Sequence, residues 1–267
     1  MMQSETGLSF LSRLTRRPCG ERCLGPGLPR LSSQVTRVEC HGSHLDQQDA
    51  IMAVINDITG RLTQQLEAGV LLLDCSHKFN TKTLARLLEA NVKREVETEN
   101  ERLKESGVDR EEREERRVRS AKQWETVKTS LSRLFIIHLH TPDSLELAIN
   151  NLENILTENT SISSVILLGV NAFFHQVHSE EEVSYVKYMK RLNTMITEAC
   201  SAHKDNVKIL TVELNIFGDK ADSEEDKMIV NKPSSVIIEN SPYGLSLHFQ
   251  GQSVPFSLDQ NNMILWN

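Results

Sequence analysis

Ser164 to Phe174, SVILLGVNAFF, is the most apolar stretch of the chain. A short run without polar alternation fits a strand whose two faces are both buried, and such a strand needs helices on both sides of its sheet. It is the expected central strand of an α/β fold. Val70 to Asp74, VLLLD, has the same character and ends in an acid, while Leu134 to Leu139 and Val207 to Val212 supply further strands. Val35 to Cys40 mixes β-branched and polar residues as a strand does. Between these runs the apolar period changes to that of a helix. Ile51, Val54, Ile55, Ile58 and Leu62 form one face, and Leu84, Leu87 and Leu88 mark another within Thr81 to Val92. Thr141, Pro142 and Asp143 read as N-cap, first-turn proline and first-turn acid of a helix continued by Leu145, Ile149, Leu152 and Leu156. Tyr185, Met189, Leu192, Ile196 and Ala199 mark one more.

The tail, 235–267, changes period again. Val236 to Ile238, Leu245 to Phe249, Val254 to Leu258 and Met263 to Trp266 are short strands separated by turn residues, with Gly251 at a hairpin turn. Alternating β and α units followed by hairpins predict a mainly parallel sheet flanked by helices, with a C-terminal β-hairpin extension. The expected organisation is an N-terminal arm, 1–34, and one core, 35–267, carrying a charged helical insertion at 93–122.

The turn between the first strand and the first helix, RVECHGSHLDQQD from Arg37 to Asp49, has the layout of a phosphate-binding loop without its chemistry. Such a loop reads G-x-x-x-x-G-K-S/T, in which backbone N–H groups and a lysine hold phosphates and a hydroxyl holds magnesium. Gly42 is the first glycine. Gln47 then stands for the second glycine, Gln48 for the lysine and Asp49 for the hydroxyl. A helix N-terminus favours an anion by roughly 0.3–1 kcal/mol, which does not replace a lysine against Asp46 and Asp49. Phosphate binding is therefore expected to be weak or absent. The plainer alternative is an unrelated fold in which Asp46 or Asp49 caps a surface helix.

Composition sets the remaining bounds. The formal charge of −7 in 267 residues argues against a surface that coats itself in nucleic acid, though a local basic strip can still meet phosphates. No apolar run approaches the roughly 18 residues of a membrane span. Five cysteines, an odd number without a secretory segment, suggest reduced thiols inside the cell. The arm is rich in Gly, Pro, Ser and Arg and reads as flexible, with a transit segment as the alternative. Leu8, Phe10, Leu11 and Leu14 make a short apolar turn within it that can dock on a neighbour. Cys19 and Cys23 could join Cys40, His41 or His44 at zinc, but their spacing is loose and no second pair follows, so no metal is expected. His138 and His140 alternate on one strand face and are read as packed or exposed, not as ligands. Lys93 to Lys122 holds ten acids and ten bases, with Asp109 and Arg113, Glu112 and Arg116, and Glu115 and Arg119 four apart. It reads as a solvated helical insertion, with a partner-binding arm as the alternative. Phe217 to Lys232 is acidic and should repel a phosphate backbone.

Five stretches, in order, resemble the RecA-type recombinase paralogues of eukaryotes. They are ETGLSFLSRL (Glu5 to Leu14), VECHG (Val38 to Gly42), LLLDCSHKFNTKTLARLL (Leu71 to Leu88), RLFIIHLHTPDSLELAINNLENIL (Arg133 to Leu156) and SVILLGVNAFF. The resemblance implies a RecA-like core with a degenerate P-loop. The family's phosphate-binding lysine and magnesium-binding hydroxyl match Gln48 and Asp49, and its second magnesium-site acid matches Gly169. Its catalytic carboxylate, two residues after the aspartate that ends the second strand, matches Ser76 following Asp74. With all of these gone together, hydrolysis by this chain is not expected, nor is a bound cofactor. The implied role is a non-catalytic, nuclear recombination mediator. It would pair with another paralogue as a hetero-oligomer and act indirectly on the recombinase filament, contacting DNA weakly or indirectly. The alternatives are a composite ATPase to which Arg133 or Lys187 is donated across an interface, and an unrelated α/β interaction domain.

Overall fold

A computed structural model describes residues 35–41, 44–64, 68–105, 124–203, 206–214, 235–241, 244–249, 252–258 and 264–266. The N-terminal arm with Leu8, Phe10, Leu11 and Leu14, the glycine Gly42, most of the insertion beyond Glu105 and the acidic segment Phe217 to Lys232 lie outside them.

In chain order the elements are β1 (Val35–His41), α1 (His44–Gln64), β2 (Gly69–Asp74), α2 (Thr81–Glu105), α3 (124–131), β3 (Leu134–His138), α4 (Pro142–Asn150), α5 (Leu152–Glu158) and β4 (Ile162–Leu168). Then come α6 (Phe174–Glu181), α7 (Tyr185–Ala199), β5 (Lys208–Leu214), β6 (Ser235–Ser241), β7 (Gly244–Phe249), β8 (Gln252–Leu258) and β9 (Ile264–Trp266). One sheet runs β3-β2-β4-β5-β1-β6-β7-β8-β9. The pairs from β3 across to β6 are parallel, and those from β6 to β9 antiparallel.

Alternate residues of the central strands feed two cores. Leu72, Ile166, Leu168, Leu210 and Val212 point to α1 and α2, where Ile55, Ile58, Leu62 and Leu87 meet them. Leu71, Leu73, Val165, Leu167 and Ile209 point to the opposite face, against Leu145, Ile149, Leu152, Leu192 and Ile196. Every residue of β2 and β4 is buried, which is why Val70 to Leu73 and Val165 to Leu168 read as apolar runs without polar alternation. Each such side chain contributes about 1.5–3 kcal/mol of burial free energy.

Several strand ends shift by one to three residues from the sequence reading, and three boundaries differ by more, each for a local reason. The run SVILLGVNAFF is a strand only to Leu168, because Gly169 takes a left-handed φ of 72° and turns the chain toward α6 at Phe174. The helix begun at Pro142 has Thr141 as N-cap and a capping box closed by Ser144, but it breaks at Asn151 and restarts as α5. α2 does not stop at Val92; the charged sequence continues the same helix to Glu105, where Lys93 and Glu97 stand one turn apart, exposed, at 3.9 Å.

Candidate functional site

The strands of a parallel sheet carry their acids and turns at the C-terminal edge, and there the structure brings three of the sequence candidates together. Asp74 ends β2 with its side chain wholly buried. Its Oδ1 accepts from Ser76 N at 3.0 Å, His77 N at 2.9 Å and the Ser76 hydroxyl at 2.8 Å, while Oδ2 accepts from Phe79 N at 3.4 Å. The buried charge is thus balanced by N–H and O–H dipoles of its own turn. These bonds wind the chain tightly enough that His77 adopts a φ of 55°. Asn80 then accepts from Lys82 N at 2.9 Å and starts α2. Ser76, where the resemblance places the catalytic carboxylate, donates to Asp74 and accepts from Lys78 N at 3.2 Å.

Gly169 faces this turn directly. A Cβ on it would come 2.8 Å from Ser76 Cβ, closer than real contacts allow, and its φ of 72° strains any side chain. Beyond it, buried Asn171 donates through Nδ2 to Leu214 O at 2.7 Å and accepts from Leu214 N at 3.1 Å, locking the turn to the end of β5. An aspartate at 169 is excluded on two counts, backbone and space. The remaining candidates lie on or before α1. Gln47, Gln48 and Asp49 are in its first turns, and the Gln48 side chain is exposed.

A second buried polar group lies on β5 and β1, beyond β4 in the same sheet, and was not singled out from the sequence. β1 runs against β5 with Glu39 opposite Glu213. Two acids side by side need a cation, and Arg37 supplies it. Its Nε and Nη2 both bond Glu213, the latter at 2.6 Å, and its Nη1 lies 3.2 Å from Glu39. Tyr185 of α7 donates its hydroxyl to Glu213 at 2.6 Å. Burial opposes the charge on Arg37, yet the bonds and charge of Glu213, helped by Glu39, hold its pKa above the ordinary value. Burial and then the Glu213 charge push the Tyr185 hydroxyl up, so it stays a donor. Burial likewise pushes the Cys40 thiol up, with Glu213 and Glu39 adding to the effect. The available signal was the Arg37, Glu39 alternation on a strand meeting Glu213 in TVEL.

The cations considered as donors across an interface sit elsewhere. Arg133 precedes β3 at the opposite, N-terminal edge of the sheet. Its Nη2 donates to Leu62 O at 2.6 Å and its Nη1 to Ala68 O at 3.2 Å, closing the C-terminal end of α1. Burial lowers its pKa. Lys187 is exposed in the first turn of α7.

Among the described residues no three or more of His, Cys, Asp and Glu are placed to hold a metal, and no helix is long and apolar enough to cross a membrane. Cys40, Cys75 and Cys200 are buried; Cys19 and Cys23 lie outside the described residues. No protein-family model matches the chain, and no curated protein matches it.

Proposed function

We propose that this chain is a non-catalytic recombination factor with a RecA-like core. It pairs with another RecA-type recombinase paralogue and supports recombinase filament assembly in homologous-recombination repair, in the nucleus. The observation that carries the reading is the closed contact of Ser76 with Gly169 over an Asp74 spent on its own turn. In a RecA-type core those positions hold the attacking water and the magnesium ion, and here they hold each other. The strand order, with β1 between β5 and β6 and β7 to β9 as a C-terminal hairpin extension, is compatible with such a core. The degenerate P-loop from Gly42 to Asp49 agrees with it.

A scaffold needs interfaces. β3 has β2 as its only neighbour among the described strands, so one side of its ladder is open to another strand. Phe135 on that strand is 36% exposed and Leu147 on α4 is 70% exposed, apolar surface of the kind that receives an added segment. Pairing joins such an edge to an apolar arm, and Leu8, Phe10, Leu11 and Leu14 are the arm this chain offers in return. DNA contact is weak or indirect, given the acidic segment from Phe217 to Lys232. The composite-ATPase alternative loses Arg133 as a donor, since its guanidinium holds α1.

The test combines ATP binding with partner recovery. The chain is purified with its co-purifying proteins, and labelled ATP is titrated against chain and complex separately. No binding by the chain, with a RecA-type paralogue recovered and lost on substituting Phe10 and Leu14 by Ala, is the expected result. Tight magnesium-dependent ATP binding by the isolated chain overturns it.

A further inference from the structure

Three histidines the candidate site does not use meet at its rim. His138 ends β3, His140 follows it on the same side, and His77 comes from the turn wound on Asp74. The His77 ring lies stacked against His140, with centroids 4.3 Å apart and planes at 19°, and against His138 at 5.8 Å and 25°. All three are exposed. Their nitrogens do not converge on a metal. Beneath them, His138 Nδ1 lies 3.5 Å from Oδ2 of the buried Asp74.

We propose that this stack is a proton-sensitive latch that fastens the turn 75–80 to the end of β3. Neutral imidazoles stack face to face with no like-charge penalty. Imidazole is the side chain that ordinarily charges between about pH 5 and 8. The charged groups on the elements that meet here are Asp74, Lys78 in the turn, Asp143 in the first turn of α4, and Glu146 one turn on, paired with Arg191. Charge on His138 is met by the Asp74 carboxylate. Charge on both His77 and His140 sets like charges against each other across the closest pair of the stack. Moving His77 away relieves the repulsion, so acid favours the open turn. A charged His138 also draws on Asp74 Oδ2, the oxygen that accepts from Phe79 N. Opening withdraws Ser76 from Gly169, so the closed edge of the sheet loosens as pH falls. This inference rests on the geometry of the three rings and not on the recombination reading.

The experiment is amide hydrogen exchange on the full-length chain at pH 7.5 and pH 5.5, corrected for intrinsic rates, with the amide of Ile166 in the buried strand β4 as internal reference. Protection of Ser76, His77 and Phe79 amides is expected to fall at least threefold in acid relative to Ile166. His77→Asn tolerates the left-handed φ but does not titrate, and it should remove the acid step. His140→Phe keeps a ring in the stack without a charge, and it should hold the turn protected at both pH values. Unchanged wild-type protection overturns the proposal. So does an acid step of full size in His77→Asn or in His140→Phe.

Discussion

Asp74 and Glu213 are both buried acids near the C-terminal ends of two strands of one sheet, β2 and β5, with β4 between them, yet they are held in different ways. Asp74 meets three backbone amides and a hydroxyl, all within five residues of itself. Glu213 meets side chains only, Arg37 from a strand 176 residues away in sequence and Tyr185 from α7. One acid shapes a turn; the other balances a charge between strands. An acid at the end of a strand therefore says nothing about catalysis until its donors are known.

That difference predicts which site can be rescued. Asp74→Ala strands three buried or part-buried amides at about 1–3 kcal/mol each, so a loss on the order of 3–5 kcal/mol is expected after partial relaxation. The denaturant midpoint should fall without a change in slope. No second substitution repairs it, because the orphaned donors are backbone. Asp74→Asn keeps one acceptor oxygen and should lose clearly less; equal losses in the two variants break the account of Asp74 as a turn-winding acceptor.

Glu213→Ala leaves Arg37 with Glu39 alone and should cost about 2–4 kcal/mol. Here a partner change does repair the damage. Replacing the set by apolar groups, Arg37→Met with Glu39→Leu and Glu213→Leu, removes the buried charges together and should recover most of the loss. If the triple variant is no more stable than Glu213→Ala in urea unfolding, the two acids are not as different as their geometry says.

A third substitution tests the contact that closes the edge. Gly169→Ala forces a side chain into a left-handed φ and against Ser76 Cβ, costing about 1–3 kcal/mol. Ser76→Gly removes the clash but not the backbone strain. A double-mutant cycle should therefore show a favourable coupling of about 1 kcal/mol, and zero coupling would mean that the two turns do not press on each other.

How much of this was legible follows from sequence separation. β2 and β4 announced themselves because burial on both faces makes Val70 to Leu73 and Val165 to Leu168 apolar without alternation, and Thr141, Pro142 and Asp143 announced a helix because capping is local. Gly169 was picked out for what it lacks, whereas its conformation and its contact with Ser76 depend on two turns meeting in space. Asp74 was visible as an acid after an apolar run, but its role depends on where the next five amides point. The Arg37, Glu213, Tyr185 network left only the Arg37, Glu39 alternation as a trace, since it exists only because the crossover order places β1 beside β5. The same holds for the three stacked histidines: His138 ends β3, His140 lies two residues past it and not on the strand as the sequence reading had it, and the third, His77, arrives from a turn far earlier in the chain.

The smallest expected effect compares two thiols of one core. Cys75, behind the Asp74 turn, is pushed up to about 12 by burial and then by the Asp74 charge, and Cys200, at the end of α7, to about 11 by burial and then by Glu153. In the unfolded chain both would titrate near 9.0. Between these values the folded protein binds more protons than the unfolded one, so stability is full below pH 9 and falls as pH rises above it. The loss is on the order of 1 kcal/mol per thiol by pH 10. Cys75→Ser and Cys200→Ser, compared with the parent by urea unfolding at pH 8 and pH 10, should each flatten the decline. Because Cys75 is pushed further up than Cys200, first by burial and then by the Asp74 charge, its variant should flatten the decline more than Cys200→Ser once the pH passes about 11. Equal flattening there would mean that burial and the Asp74 charge together act no more strongly on Cys75 than burial and Glu153 act on Cys200.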